Sequence, residues 1–326
     1  MPANLTPQYY SAEKVFKQAR TTQDKIAALE EMLAVMPKHK GTDHLKADLR
    51  RRIARLTQST DKKAATQRAS LIIQKEGAAQ VLVLGLPNAG KSQLIARLTN
   101  ASVTVADYPF TTHTATPGMM EFENIQIQLV DTPPLEPGSN QPWLVPNLIR
   151  ADALLVMIDL SEEPLSQMET ITAELGRLRT GIGRRQADRE PEDALNQKLT
   201  LIIGNKIDLA EAGLNYKNLE EFYQDEVPVI AISARKGTGL EEMKLKIFEM
   251  LDIIRVYTKT PSQKPDMADP LVLRRGSTLE DAAREVHKDF QAKLKFARIW
   301  GSGKHDGVMI KRDHILQDGD IIELHM

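Results

Sequence analysis

A lysine and a serine close the eight-residue stretch Gly85-Leu86-Pro87-Asn88-Ala89-Gly90-Lys91-Ser92. An apolar run at 81–84 precedes it, and residues 93–98 follow at helical spacing. The pattern G-x-x-x-x-G-K-[ST] between a strand and a helix is built to hold phosphate. Its glycines let the chain bend, so that backbone N–H groups around Pro87, Asn88, Ala89, Gly90 and Gln93 wrap an anion. The positive end of the following helix adds to the attraction. Lys91 is placed to reach β- and γ-phosphates, and the Ser92 hydroxyl to bind Mg²⁺.

A second cluster, Asn205-Lys206-Ile207-Asp208, ends another apolar run. A carboxylate can accept from both N1–H and the exocyclic amine of guanine, a donor pair that adenine lacks. Asp208 is therefore the expected base-selecting residue, with Lys206 along the face of the base and Asn205 bracing the loops. Ser233-Ala234-Arg235 follows, and the Ala234 amide is expected to meet guanine O6. The spacing suits a nucleotide site at the carboxyl ends of parallel strands. GTP or GDP is the implied ligand.

These clusters need a framework to hold them. The 326 residues are enough for two or three domains. Hydrophobic residues at 41% and charged residues at 27% are usual for a globular protein. Cysteine is absent, which excludes disulfides and thiolate chemistry. No apolar run approaches the roughly 18 residues of a membrane span. The first residues lack the pattern of a secretory leader, so the expected location is cytoplasmic. The net charge of −1 is unevenly spread: +7 over residues 11–68, −10 over 69–254 and +2 over 255–326.

Residues 11–77 read as helical. Ile26, Leu29, Met32, Leu33 and Met36 share one face, as do Leu45, Leu49, Ile53 and Leu56. Two antiparallel helices linked by residues 37–42 are expected, with Arg50, Arg51, Arg52 and Arg55 pointing largely away from the contact. Strands are expected at 80–85, 118–122, 125–131, 153–159, 198–204 and 227–232, and helices at 91–99, 165–179, 217–224 and 239–251. Buried strands alternating with helices give an α/β domain with a mostly parallel sheet. Residues 180–196 read as a charged surface loop. After 253, short strands and one amphipathic helix, capped by Ser277 or Thr278, give a small α+β module. The domains are thus 1–77, an N-terminal helical region, 78–252, a nucleotide domain, and 253–326, a small β-grasp-like domain.

The order G-x-P-N-x-G-K-S, D-x-P, N-K-x-D, S-A-R resembles the translation-factor-related GTPases. The segment "VADYPFTTHTATPGMM" resembles the first switch of the Obg superfamily. "VYTKTPSQKPD", "GSTLEDAAREVHKDF", "ARIWG" and "DHILQDGDIIEL" resemble a TGS module. Together with the N-terminal helices, the chain resembles the developmentally regulated GTP-binding (DRG) proteins over most of residues 25–326. The resemblance implies a Mg²⁺-dependent GTPase switch acting on the ribosome or another RNA assembly. It places Thr112, or failing that Thr111, on the Mg²⁺ ion when a γ-phosphate is present, and Asp131 on the same ion through water. Asn88 sits where some relatives bind a potassium ion; an ordinary turn asparagine is the competing reading. Lys91, Thr112 and Asn88 are the residues expected to act on the phosphates. The basic helices and the TGS module are the expected RNA-facing parts.

Two departures stand out. Where the family has D-x-P-G, this chain has Asp131-Thr132-Pro133-Pro134, and proline has no N–H to give a γ-phosphate. Leu135 stands where Ras-type enzymes carry a water-orienting glutamine. Slow intrinsic hydrolysis is the expectation; the alternative is a guanine-nucleotide-binding module with little turnover. His113 is the titratable group near the switch threonines, with a solvated loop histidine as the competing reading. The interval from Asp131 to Asn205 is too short for the small domain inserted in DRG proteins.

Overall fold

The computed structural model describes residues 6–19, 21–37, 42–70, 72–99, 116–138, 141–183, 196–261, 263–287, 294–301 and 306–325. The chain divides into two compact units, with the division after Ile72.

Among the described residues the first unit holds three helices, α1 (Pro7–Gln18), α2 (Thr22–Ala34) and α3 (Asp43–Ser70). The expected hairpin accounts for α2 and α3; α1 is an addition. Thr6 caps α1 by accepting from the Tyr9 amide, and Pro7 starts it. Tyr9, Ala12 and Phe16 then pack with Leu29, Met32, Met36 and Leu49, so that α2 has a partner on either side. Arg50, Arg51, Arg52 and Arg55 are exposed.

In the second unit a seven-stranded sheet forms from β1 (Ala79–Gly85), β2 (Thr116–Phe122), β3 (Ile125–Asp131), β4 (Ala153–Asp159), β5 (Thr180–Gly183), β6 (Asn196–Asn205) and β7 (Val229–Ala231). Its order is β2-β3-β1-β4-β6-β5, with β7 also on β6. Only β2, in a hairpin with β3, runs antiparallel. The helices are α4 (Lys91–Leu98), α5 (Leu144–Arg150), α6 (Pro164–Arg177), α7 (Ala212–Tyr223) and α8 (Leu240–Leu251). Every residue of β1 and β4 is buried, which is why these strands read as unbroken apolar runs. Residues 180–183, expected to open a surface loop, instead pair with β6 as an edge strand. The rest of that expected loop, 184–195, lies outside the described residues.

A single residue, Asp252, joins α8 to a five-stranded sheet of β8 (Ile253–Thr258), β9 (Leu271–Arg274), β10 (Phe296–Trp300), β11 (Val308–Ile310) and β12 (Ile321–His325), ordered β11-β10-β12-β8-β9. Helix α9 (Leu279–Val286) packs on it through Leu279, Ala282 and Ala283. Its N-cap is Thr278, in a capping box with Asp281. Among the described residues no helix is long and apolar enough to cross a membrane.

The turn of the β2–β3 hairpin meets this second sheet. The Asn124 amide donates to the Tyr257 hydroxyl at 2.6 Å and to the Met267 carbonyl at 3.1 Å. The Arg255 guanidinium lies over the Phe248 ring, pairs with Glu123, and holds the Asp318 carboxylate at 2.7 Å. Burial works to raise the Asp318 pKa, but its bonds from Arg255 outweigh burial and hold it below the ordinary value. Replacing Arg255 by Ala is expected to lower stability by about 1–3 kcal/mol, since charged partners are left behind. Urea unfolding at neutral pH measures this. Asp318 contributes fully above its unfolded pKa of about 3.9, and the contribution fades as pH falls through the lower folded value. The gap between variant and parent should therefore narrow in acid.

Candidate nucleotide site

Strands β1, β3, β4 and β6 are parallel neighbours, so their carboxyl ends lie along one edge of the sheet. Those ends carry Gly85, Asp131, Asp159 and Asn205. The loop after β1 turns through Asn88 at φ +63° and Gly90 at φ +96°. Gly90 is the N-cap of α4 and brings no side-chain cap. Gly90 therefore offers no side chain to the first-turn N–H groups of α4. The Lys91 amine is buried and donates to the Gly85 and Leu86 carbonyls, each at 3.0 Å. Burial lowers its pKa, with the nearby Asp131 opposing.

The Ser92 hydroxyl donates to Asp131 Oδ2 at 2.5 Å. The other carboxylate oxygen, Asp131 Oδ1, is buried and has no hydrogen-bond partner among the described residues. Burial raises the Asp131 pKa, against the bond from Ser92 and the charge of Lys91. An orphaned carboxylate oxygen beside a hydroxyl is the donor set of a hard divalent cation, so these residues fit Mg²⁺. Thr112, Thr111 and His113 lie outside the described residues.

After Asp131 the chain is tied down at several points. The Thr132 hydroxyl donates to the Val83 carbonyl at 2.7 Å, and Gln141 Nε2 to the Pro134 carbonyl at 3.1 Å. The Leu135 amide donates to the Gly85 carbonyl at 3.1 Å, and its side chain is 3% exposed. The Gly138 amide donates to Glu174 on α6 at 3.0 Å; this bond, ahead of a smaller opposing effect of burial, holds Glu174 below the usual carboxylate range.

At the other end of the site Asn205 is 1% exposed and spans two loops. Its Nδ2 donates to the Ala89 carbonyl at 2.9 Å, and its Oδ1 accepts from the Ala234 amide at 2.9 Å. The amide expected at guanine O6 thus also serves this brace. Lys206 adopts φ +69° and its amine pairs with Asp159, which accepts as well from the amide and hydroxyl of Ser161. Burial would raise the Asp159 pKa; the bonds from Lys206 and Ser161 bring it below the ordinary value. The Asp208 carboxylate is bonded by Ser233, the main cause of its lowered pKa, and has Lys236 Nζ at 3.6 Å. Arg97, on α4, donates to the Arg235 carbonyl at 3.0 Å and the Lys236 carbonyl at 3.3 Å.

The structure therefore brings together the residues around 85–93, Asp131, 205–208 and 233–235. Arg97, Asp159, Ser161 and Glu174 were not anticipated. Asp159 had one signal, its place as the last residue of a buried strand.

Residues 80–188 match a family described as 50S ribosome-binding GTPase, and residues 254–326 match the TGS domain. An uncharacterized GTP-binding protein of Methanocaldococcus jannaschii is 30% identical, over 93% of this chain and 92% of that protein. That alignment runs over 365 positions, more than this chain contains, so the relative carries residues absent here. The developmentally-regulated GTP-binding protein 2 homolog of Dictyostelium discoideum is 26% identical over 92% of this chain and 98% of its own length. The human developmentally-regulated GTP-binding protein 2 is 23% identical over the same shares. In structure, the Schizosaccharomyces pombe YchF GTPase covers 77% of this chain and 99% of its own at a TM-score of 0.54 and 12% identity, a likeness of fold.

Proposed function

Because this chain belongs to the Obg-type GTP-binding proteins that carry a TGS domain, the developmentally regulated GTP-binding proteins among them, we propose that it is a guanine-nucleotide switch that hydrolyses GTP slowly and acts on the ribosome or another RNA. The observation that carries the reading is Asn205. One buried side chain ties the phosphate loop to the loop after β7, so the two segments proposed to hold the ends of a nucleotide form one connected unit.

In this reading Lys91 gives up its two loop carbonyls and turns its amine to the β- and γ-phosphates. Asp208 accepts from N1–H and the 2-amino group of guanine, while the stem of Lys206, pinned by Asp159, lies along the base. Ser92, with Asp131 through water and Thr112 when GTP is bound, would hold Mg²⁺, which neutralises charge developing on the phosphate oxygens. Asn88 is proposed to hold a potassium ion beside the β/γ bridge, where a cation offsets the charge of the transition state. GTP is proposed to bring Thr112 onto the Mg²⁺ ion and hydrolysis to free it.

The RNA arm of the proposal rests on the exposed Arg50, Arg51, Arg52 and Arg55 in a segment of net charge +7. The TGS module is the second proposed contact. The proposed site of action is the cytoplasm, where ribosomes and GTP meet.

A second reading, a guanine-nucleotide-binding module with little turnover, is favoured by Pro134 and by the buried, apolar Leu135. GTP turnover in potassium and in sodium buffer, each with and without ribosomes, separates the two. The switch reading expects turnover that rises with potassium or ribosomes. Absence of turnover in all four conditions leaves the second reading.

A further inference from the structure

We infer that the main-chain N–H of Leu135 reads the γ-phosphate in place of the amide that Pro134 has removed. The inference rests on the nucleotide reading above and deepens it. It starts from one shared acceptor. The Gly85 carbonyl receives the Lys91 amine at 3.0 Å and the Leu135 amide at 3.1 Å. Two donors therefore converge on one oxygen at the mouth of the phosphate loop. One of them, Lys91, belongs to the motif that reaches β- and γ-phosphates. The other is the first backbone donor after two prolines, because neither Pro133 nor Pro134 has an N–H.

Leu135 is also held on both sides, so that its amide is kept at the phosphate loop and has only to exchange one acceptor for another. Its side chain is buried, the preceding carbonyl of Pro134 accepts from Gln141, and Thr132 is bonded to Val83 of β1. On the far side Gly138 is fastened to Glu174. When Lys91 leaves the Gly85 carbonyl for a triphosphate, the Leu135 N–H is beside it. A phosphate oxygen is charged, and a charge-assisted bond is roughly twice as strong as one to a neutral carbonyl. The Leu135 amide moves from Gly85 to the γ-phosphate. With GDP no such oxygen exists, and the amide stays on Gly85. The third phosphate is sensed one residue later than a D-x-x-G sequence would do it, and by an amide whose side chain is part of the core.

Labelling with ¹³C-carbonyl proline and ¹⁵N-leucine tests this directly. Pro-Leu pairs occur at 134–135, 164–165 and 270–271, so three amide correlations are expected, and Leu135→Ile identifies the relevant one by deleting it. That correlation should shift between GDP and a non-hydrolysable GTP analogue, while those of Leu165 and Leu271 stay together. Leu135→Pro should reduce the GTP-analogue-to-GDP affinity ratio about tenfold or more. The double variant Pro134→Gly/Leu135→Pro should restore it by returning a donor one residue earlier. A Leu135 amide that does not distinguish the two nucleotides, or a ratio unmoved by Leu135→Pro, overturns the inference and leaves the nucleotide reading intact. Should Leu135→Pro fail to fold, the labelled parent protein still decides. Binding of neither nucleotide overturns the nucleotide reading, and this inference with it.

Discussion

Replacing Asp208 by Asn is expected to abolish the preference for guanine over adenine and to create one for xanthine. The Asp208 carboxylate is held by Ser233 and faces the Lys236 amine, and the bond from Ser233 is the leading reason its pKa is low. It is therefore an ionised, two-oxygen acceptor throughout the neutral range. Guanine offers it two donors in the matching geometry. Asparagine keeps one acceptor and puts a donor in place of the other, so one bond is lost and the 2-amino group meets another donor. One charge-assisted bond lost and the other weakened to a neutral one make the expected loss for GDP roughly 10–10³-fold. Xanthine has a carbonyl where guanine has the amine, and that carbonyl can accept from Asn. Dissociation constants for GDP, XDP and ADP measure the exchange. An Asp208→Asn protein that still prefers GDP to ADP as the parent does would remove Asp208 from the base site. Because the folded pKa lies below the ordinary carboxylate value, guanine selectivity in the parent should also hold at pH 5 as it does at pH 7.

What could be read from the chain depended on how local the cause was. The buried strands announced themselves, since β1, β4 and most of β6 face apolar surroundings on both sides. The phosphate loop was equally plain, because its glycines, lysine and serine are consecutive and their chemistry needs that order. Helix α1 was hidden: Tyr9, Ala12 and Phe16 are too few to make a clear stripe, and they bury only because α2 offers its second side. The strand Thr180–Gly183 carries no strand signal of its own; it pairs because β6 presents a free edge beside it. The supports of the site were hidden for the same reason. Arg97 clamps carbonyls at 235 and 236, and Glu174 fastens the amide of Gly138. Such bonds join residues far apart in sequence, and no period or spacing records them. Asn205 is the exception. Its role as a brace follows from its motif, yet only the fold shows that both its amide atoms are used.

That double use makes the glycine beside it the most sensitive position in the phosphate loop. Gly90→Ala is expected to cost about 2–5 kcal/mol of stability and at least about 30-fold in GDP affinity. Two effects add. At φ +96° an L side chain is strained by about 1–2 kcal/mol. A Cβ built there would also stand 2.3 Å from Asn205 Nδ2. That atom is buried and donates to the Ala89 carbonyl, so it cannot retreat without giving up the bond, at about 1–3 kcal/mol for a buried polar group left unpaired. The loop and the base-side segment would then part, and the amides around residue 90 would lose their common direction. Gly138 supplies the control. It has φ +73°, but among the described residues nothing lies within 4 Å of its Cβ position. Gly138→Ala should therefore show the backbone strain alone, with GDP binding retained. Urea unfolding and GDP titration of the two variants separate strain from clash. If Gly90→Ala bound GDP as tightly as Gly138→Ala does, the contact between Gly90 and Asn205 would not be what holds the phosphate loop in its working shape.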